Sequence, residues 1–514
     1  MFPRWYREGT TDQAGTLPHA SQSTHSGSPV RIKASLVLLF VIPVAVAAQS
    51  TLIKPVTTSQ VVAWLTGGVS SARLVTLVKE RGLATLPTHS ELLQVQSAGA
   101  DRELMSALNG GNVRSAEIGP AIDPELLKAV PLARQQKFHE AELQLQQAIH
   151  SDPDNPALHF ALGTAFRRQD DLENAYDELS VATQLMPDLP ENHSALAYLF
   201  YRLDDGPNAI SEARTALSID PHNAEAFQYL GLGLYSNGQY GAAVHAYSES
   251  LLHDRDNADT YYDMGIALHA GGDVPGAVQA YEHAIRLRPD FWEAHSNLGL
   301  ILHEKGDLVQ AAAEYREAAR IAPNEPSVRN NLGNTYCDQG DFDAAIKELS
   351  DLYRDHPEWQ QGHACLASAF MAKRNYDAAV EQLRLALRLN PTGSTEHRIL
   401  GQVLLLDNRP EEAVRELKIA VSLNPDSEAA HHMLGTALFQ QQQLPQAEKE
   451  FREALRLNAS ADNHYSLAAC LMSMDRYEEA LSELETASRL DPTQSLYRAR
   501  REELLKLMKQ SASR

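Results

Sequence analysis

The fold this sequence predicts is an all-α solenoid of tandem helical hairpins, and three observations predict it. Prolines fall at 153, 187, 221, 289, 323, 357, 391 and 425, with every interval 34 or twice 34. Alanine keeps the same beat at Ala141, Ala175, Ala209, Ala243, Ala277, Ala311, Ala345, Ala379, Ala413 and Ala447, then at Ala480 after a step of 33. Within one unit, as in Asn331 to Ser350 (NLGNTYCDQGDFDAAIKELS), the apolar spacing fits two short helices with glycine or alanine at positions where a larger side chain would serve a helix better. One such hairpin cannot bury its apolar face alone, so the eleven units are expected to stack, each stabilised by its neighbours.

The chain opens with an N-terminal extension and leader, residues 1–48. Arg31 and Lys33 precede an apolar run from Leu36 to Val46, followed by Ala47, Ala48 and Gln49. Positive, then apolar, then small is the order of a secretory signal peptide, with small-x-small sites placing cleavage near Gln49. The uncharged stretch from Leu36 to Ala48 has 13 residues, whereas a membrane-spanning helix needs roughly 20. No stable span is expected after cleavage, and the expected location is the periplasm or cell envelope. An uncleaved leader would instead tether the chain to the inner membrane.

Residues 49–121 read as a small helical module and linker. Helical patterns run through SQVVAWL, SARLVTLVKERG, HSELLQVQSAG and DRELMSALNGG, separated by glycine or by the LPT turn. Thr88 and Glu91 have the three-residue spacing of a capping box.

The repeats occupy residues 122–494. In the unit that begins at Trp292, a small residue is eighth (Gly299), alanines are twentieth and twenty-seventh (Ala311, Ala318) and proline is thirty-second (Pro323). Large apolar residues are seventh, eleventh and twenty-fourth (Leu298, Leu302, Tyr315). This pattern resembles the tetratricopeptide repeat, a helix-turn-helix unit of 34 residues, and the resemblance implies a right-handed α-solenoid. Arg255 and Ala459 depart from it at the thirty-second position, Ser250 and Leu352 at the twenty-seventh. Gly340, between the two helices of its unit, suits a left-handed helix end. Gly333 and Ala345 are expected to be where the two helices touch. Residues 495–514 form the expected C-terminal capping helix, with Tyr497, Leu504, Leu507 and Met508 on one apolar stripe.

Composition excludes some functions. With a formal charge of -22, the chain lacks the basic surplus that nucleic-acid binding requires. Cys337, Cys365 and Cys470 are too few and scattered for a disulfide framework or a CxxC metal site, and read as small buried apolar side chains. No Walker loop, GxSxG, HExxH or dinucleotide fingerprint is present, so the chain reads as non-catalytic, with no cofactor and no metal.

Histidine recurs at the fourth position of seven units: His159, His193, His295, His363, His397, His431 and His464. The resemblance implies an aromatic slot at the hairpin edge; histidines titrating together would make the solenoid pH-sensitive. His431 and the adjacent His432 should point apart and make no metal pair. Asp338, Asp341 and Asp343 lack the glutamate that ends a calcium loop, since the twelfth residue from Asp338 is Leu349.

The resemblance also implies that first-helix positions two, five, nine, twelve and thirteen line a concave groove that grips an extended peptide or a helix. In consecutive units the second position reads Glu191, Glu225, Asp259 and Glu293, an acidic stripe. Phe160, Tyr198, Tyr201, Tyr235 and Tyr262 stand at positions five, nine and twelve, offering large aromatic contacts. Helix-start acids facing the positive dipole end would give the same stripe. The expected function is an exported, bacterial-type scaffold whose groove binds a protein partner through a basic or aromatic segment. The alternative is a structural subunit or assembly factor of a cell-envelope complex, docking through the outer edges and the N-terminal module.

Overall fold

The computed structural model describes residues 54–113, 121–359 and 361–512. The leader and its cleavage site lie outside the described residues. Four short helices come first: α1 (Thr58–Thr66), α2 (Ser71–Arg81), α3 (His89–Ser97) and α4 (Arg102–Gly110). Thr88 caps α3 with the reciprocal Glu91 bond expected of a capping box. Leu83, between α2 and α3, makes parallel bridges to Val56 and Val113.

Eleven helical hairpins follow. The first five pair α5 (Pro124–Arg134) with α6 (Phe138–Ser151), α7 (Pro156–Arg168) with α8 (Leu172–Leu185), α9 (Pro190–Arg202) with α10 (Gly206–Ile219), α11 (Ala224–Ser236) with α12 (Tyr240–His253), and α13 (Ala258–Ala270) with α14 (Val274–Leu287). The next three pair α15 (Trp292–Glu304) with α16 (Leu308–Ile321), α17 (Pro326–Gln339) with α18 (Phe342–Asp355), and α19 (His363–Ala372) with α20 (Tyr376–Leu389). The last three pair α21 (Ser394–Leu406) with α22 (Pro410–Leu423), α23 (Glu428–Gln440) with α24 (Leu444–Leu457), and α25 (Ala461–Ser473) with α26 (Tyr477–Leu490), before the final α27 (Ser495–Ala512). The described residues up to Pro289 form one compact unit and those from Asp290 onward another. Within each, the helices of a hairpin pack on each other and the second packs on the first helix of the next. This is an all-α solenoid fold.

The glycine of the eighth position is a seat for one large side chain. A Cβ on Gly333 would lie 2.5 Å from Leu349 Cγ, and one on Gly265 would lie 2.6 Å from Tyr281 Cε1. Gly163 and Gly435 face Leu179 and Phe451 in the same way. The small residue of the first helix thus meets the twenty-fourth residue of its unit, not the alanine of the second helix: Ala345 packs instead with Cys337 and Ala369. Glycine inside a helix costs about 1 kcal/mol relative to alanine, and the buried ring or leucine seated on it offsets that cost.

Gly340 takes the left-handed conformation expected of it, with φ 77°. The equivalent residue is left-handed in all eleven hairpins, and in seven of them it is not glycine: Gln136, Asp170, Asp204, Arg374, Asn408, Gln442 and Asp475. The interhelix turn therefore imposes the conformation whatever the side chain. At the C-terminus Tyr497 and Leu504 of α27 are buried where that helix packs on α26. Leu507, expected on the same stripe, is 43% exposed, whereas Met508 is partly buried against the core.

Candidate functional site

The positions that the groove expectation singles out all lie on first helices. Glu191, Glu225, Asp259 and Glu293 occupy the first turns of α9, α11, α13 and α15, where a carboxylate meets the positive end of the helix dipole. Glu293 belongs to the second compact unit and the other three to the first.

The first surprise is what covers the start of this face. Helix α1 packs on α5 and α7, and a Cβ on Gly67, at the end of α1, would lie 2.9 Å from Phe160 Cδ1. Arg73 of α2 reaches Glu191, Nε to Oε1, at 2.5 Å. Arg81, itself buried, pairs with Asp188 at 2.9 Å, and Arg134 of α5 donates to the Ser97 carbonyl at 2.8 Å. One continuous core contains Trp64, Leu74 and Leu104 of the module together with Leu158, Phe160 and Leu196 of the repeats. Phe160 and Glu191, expected on an open groove, are therefore covered by the N-terminal helices. Burial pushes the Glu191 carboxyl above its ordinary value, and Arg73 offsets part of that rise.

Beyond this cover the face is polar and aromatic. Tyr198, Tyr201 and Tyr235 are half-buried, whereas Tyr262 is buried and packs at a tilt against Tyr281 in the core, with centroids 5.9 Å apart. Arg167 lies 5.0 Å over the Tyr198 ring. Arg202 donates to the Tyr198 hydroxyl at 3.1 Å and pairs with Asp170 at 2.7 Å. Tyr229 stacks at a tilt 5.3 Å from Tyr198 and donates to Glu225 at 2.6 Å. Asp259 pairs with Arg288 at 2.5 Å. The three acids of the first compact unit thus each have a partner within the chain. Sequence reasoning missed Arg167 and Arg202, although they stand at the twelfth and thirteenth positions, both assigned to the groove.

A second recurring device uses the fourth-position histidines. Their Nδ1 atoms meet a glutamate 19 residues on: His159 with Glu178 (2.6 Å), His193 with Glu212 (2.7 Å), His397 with Glu416 (2.7 Å) and His431 with Glu450 (2.6 Å), and likewise in the His295 and His464 units. In these four the Nε2 atom faces the carbonyl of Pro153, Pro187, Pro391 or Pro425 in the preceding turn. A carbonyl can only accept, so Nε2 carries a proton, and a charged ring donates from both sides. For His159 and His193 burial disfavours that charge, but the glutamate and the carbonyl outweigh it and hold the pKa above the ordinary value. His363 has Gln382 in place of glutamate, and there burial wins and the pKa falls. The ring is a clamp between two helices and a turn, which an aromatic slot alone does not describe. His432 turns instead to Ser466 at 2.9 Å, away from the His431 partners. Among the described residues no group of three or more ligands could hold a metal ion.

The cysteines correct another expectation. Cys337 of α17 and Cys365 of α19 form a disulfide, with sulfurs 2.01 Å apart. They are 28 residues apart in sequence, a spacing that carries no signal of its own; stacking brings them together. Cys470 is free and buried, its thiol pushed up to about 11 by burial. Among the described residues no helix is long and apolar enough to cross a membrane.

Comparison with known families agrees with this geometry. One tetratricopeptide repeat model matches residues 126–190, 229–287, 262–326 and 365–428, and another matches 302–369, so that between them they cover more than half of the chain. The model of anaphase-promoting complex, cyclosome, subunit 3 matches residues 418–487. No curated protein matches the sequence significantly. Among solved structures, pilF of Pseudomonas aeruginosa is 20% identical, covering 42% of this chain and 97% of its own, with a TM-score of 0.37. The Cut9–Hcn1 assembly of APC/C is 13% identical over 74% of this chain and 96% of its own, with a TM-score of 0.40. Yeast Tom70 is 16% identical over 75% and 94%, with a TM-score of 0.33.

Proposed function

This chain belongs to the tetratricopeptide repeat family, a protein–protein interaction scaffold, and we propose that it holds a segment of a partner protein on the first-helix face between α9 and α13. The observation that carries this reading is the row of half-buried tyrosines, Tyr198, Tyr201 and Tyr235, on the first-helix face beyond the N-terminal module. Tyrosines of this kind supply large contact areas at little cost in side-chain freedom. The scaffold acts without catalysis, and the preferred segment is basic or aromatic, in keeping with the formal charge of -22. The N-terminal helices end the solenoid by filling the start of the same face, so the partner enters past them.

The chain functions outside the cytoplasm, in the periplasm or envelope. The Cys337–Cys365 disulfide supports this, since such bonds persist in oxidising compartments, as does the leader pattern from Arg31 to Ala48. A role as a structural subunit or assembly factor of an envelope complex is the second reading. It is favoured by exposed apolar side chains on second helices, such as Leu143 at 55% and Leu252 at 61%.

A pull-down from envelope extracts separates the two. The full chain is compared with a Tyr198→Ala, Tyr235→Ala variant, and bound proteins are identified by mass spectrometry. Loss of one partner from the variant is the expected result. Equal recovery from both baits refutes the groove reading and moves the function to the outer helices.

A further inference from the structure

Asp263 is the buried carboxylate for which the fold gives no structural reason. It lies on α13 and is 7% exposed, and among the described residues its one hydrogen bond comes from Gln228 of α11, Nε2 to Oδ2 at 3.0 Å. Burying a carboxyl with one neutral donor is unfavourable, and a perturbed acid in such a place marks a candidate site. Its charged neighbours are Asp259 and Arg288, which pair with each other, and beside them stand tyrosines: Tyr201 of α9 and Tyr247 of α12 both feel the Asp263 charge, and Tyr235 of α11 acts on both.

The repeat register shows what is missing. Arg167 donates to Tyr229, 62 residues further on, at 3.5 Å, and there stands over the Tyr198 ring within the field of Glu225. Tyr201 and Asp263 have the same spacing of 62 residues. In the first case the chain sets its own guanidinium among tyrosines and an acid. In the second Tyr201 takes the place of the guanidinium, Arg202 is paired with Asp170, and the cation acting on Asp263, Arg288, is shared with Asp259, so two acids face one arginine.

We propose that a basic side chain of the bound protein segment places its cation at Asp263, against the rings of Tyr201 and Tyr235. The inference rests on the groove reading and names the residue type the groove selects. Cation–ring attraction and a desolvated carboxylate act together there. Burial holds the Asp263 carboxyl at about 7, so a cation can bind fully only once the acid has lost its proton. Of the groups facing it, Tyr201, Tyr235 and Tyr247 are held above their ordinary values, the paired Asp259 and Arg288 act on it in opposite senses, and Gln228 does not titrate. Affinity should therefore rise with pH through neutrality.

The test is calorimetric titration of the full chain with a capped peptide carrying one lysine between two tyrosines, and with its acetyl-lysine twin. The lysine peptide is expected to bind about tenfold tighter at pH 8 than at pH 6 and to release about 0.9 proton at pH 6, as an acid titrating near 7 requires. The acetylated twin and the Asp263→Asn variant should each lose at least tenfold at pH 8. Asn keeps the acceptor for Gln228, and a thermal melt checks its folding. If that variant fails to fold, the wild-type pH profile and proton release decide alone. A flat wild-type profile, no wild-type binding, or equal binding by Asp263→Asn overturns the proposal. If Tyr198→Ala, Tyr235→Ala weakens peptide binding and Asp263→Asn does not, the groove stands and the cation site falls; if neither weakens it, both fall.

Discussion

Replacing Arg73 by alanine tests whether the N-terminal helices are part of the solenoid. Glu191 is 8% exposed, its Oε2 has no hydrogen-bond partner among the described residues, and its Oε1 depends on Arg73 at 2.5 Å. Removing one member of a buried pair leaves an uncompensated charge and costs about 3–5 kcal/mol. Arg73 retains 18% of its side-chain exposure, and Glu191 can escape by taking a proton, so the expected loss is nearer about 2–3 kcal/mol. Glu191→Gln removes the charge along with the pair and should cost only about 1 kcal/mol, because Arg73 keeps Asp220 at 3.8 Å. In the Arg73→Ala chain the folded carboxyl holds its proton more tightly than the unfolded one. Its penalty is therefore present at neutral pH and relieved as pH falls through the raised folded value. Hydrogen exchange on the amides of α1 and α2, with urea melts at pH 5 and 7, measures all three effects. An Arg73→Ala chain within about 0.5 kcal/mol of wild type would refute this reasoning, as would a Glu191→Gln chain that is equally destabilised.

Two further outcomes follow from the packing. Gly265→Ala should destabilise its hairpin by up to about 2 kcal/mol, since overpacking against the fixed Tyr281 ring costs about 1–3 kcal/mol and the better helix former returns about 1; Gly299→Ala, whose Cβ would sit 3.1 Å from Tyr315, should come out near zero. Local exchange rates of the two hairpins report the difference, and equal effects would mean that the glycine seat is not what sets it. For the histidine clamps, the raised values of His159 and His193 mean that their stabilisation is complete below the unfolded value near 6.5 and is lost as pH rises through the folded ones. His363, with its lowered value, works in the opposite sense. Thermal melts should therefore shift downward from pH 6 to pH 8.5 and shift less in a Glu178→Gln, Glu212→Gln chain; superimposed wild-type melts would exclude a net contribution from the clamps.

Much of the fold could be read directly. The 34-residue beat determines the hairpin, because an apolar stripe, a small residue and a helix stop recur together. Gly340 and the Thr88–Glu91 cap were legible for the same reason: each is a local backbone requirement met by one or two residues nearby. The histidine register was equally visible, and the glutamate 19 residues on was there to be paired with it, since the period places both on facing helices.

What tertiary structure alone decided are the contacts that cross units. Local pattern carries no information about which surface a four-helix module covers, so the burial of Phe160 and Glu191 under Gly67 and Arg73 had no signature. The Cys337–Cys365 bond is another such contact, made because stacking sets the first helices of neighbouring hairpins side by side. Asp263 is the clearest example. In sequence it is one more acid near the start of a helix; only the arrival of Tyr201 from two units earlier and Gln228 from one makes it a buried charge. Periodicity specifies what each unit contributes, and the stacking of units determines which of those contributions meet.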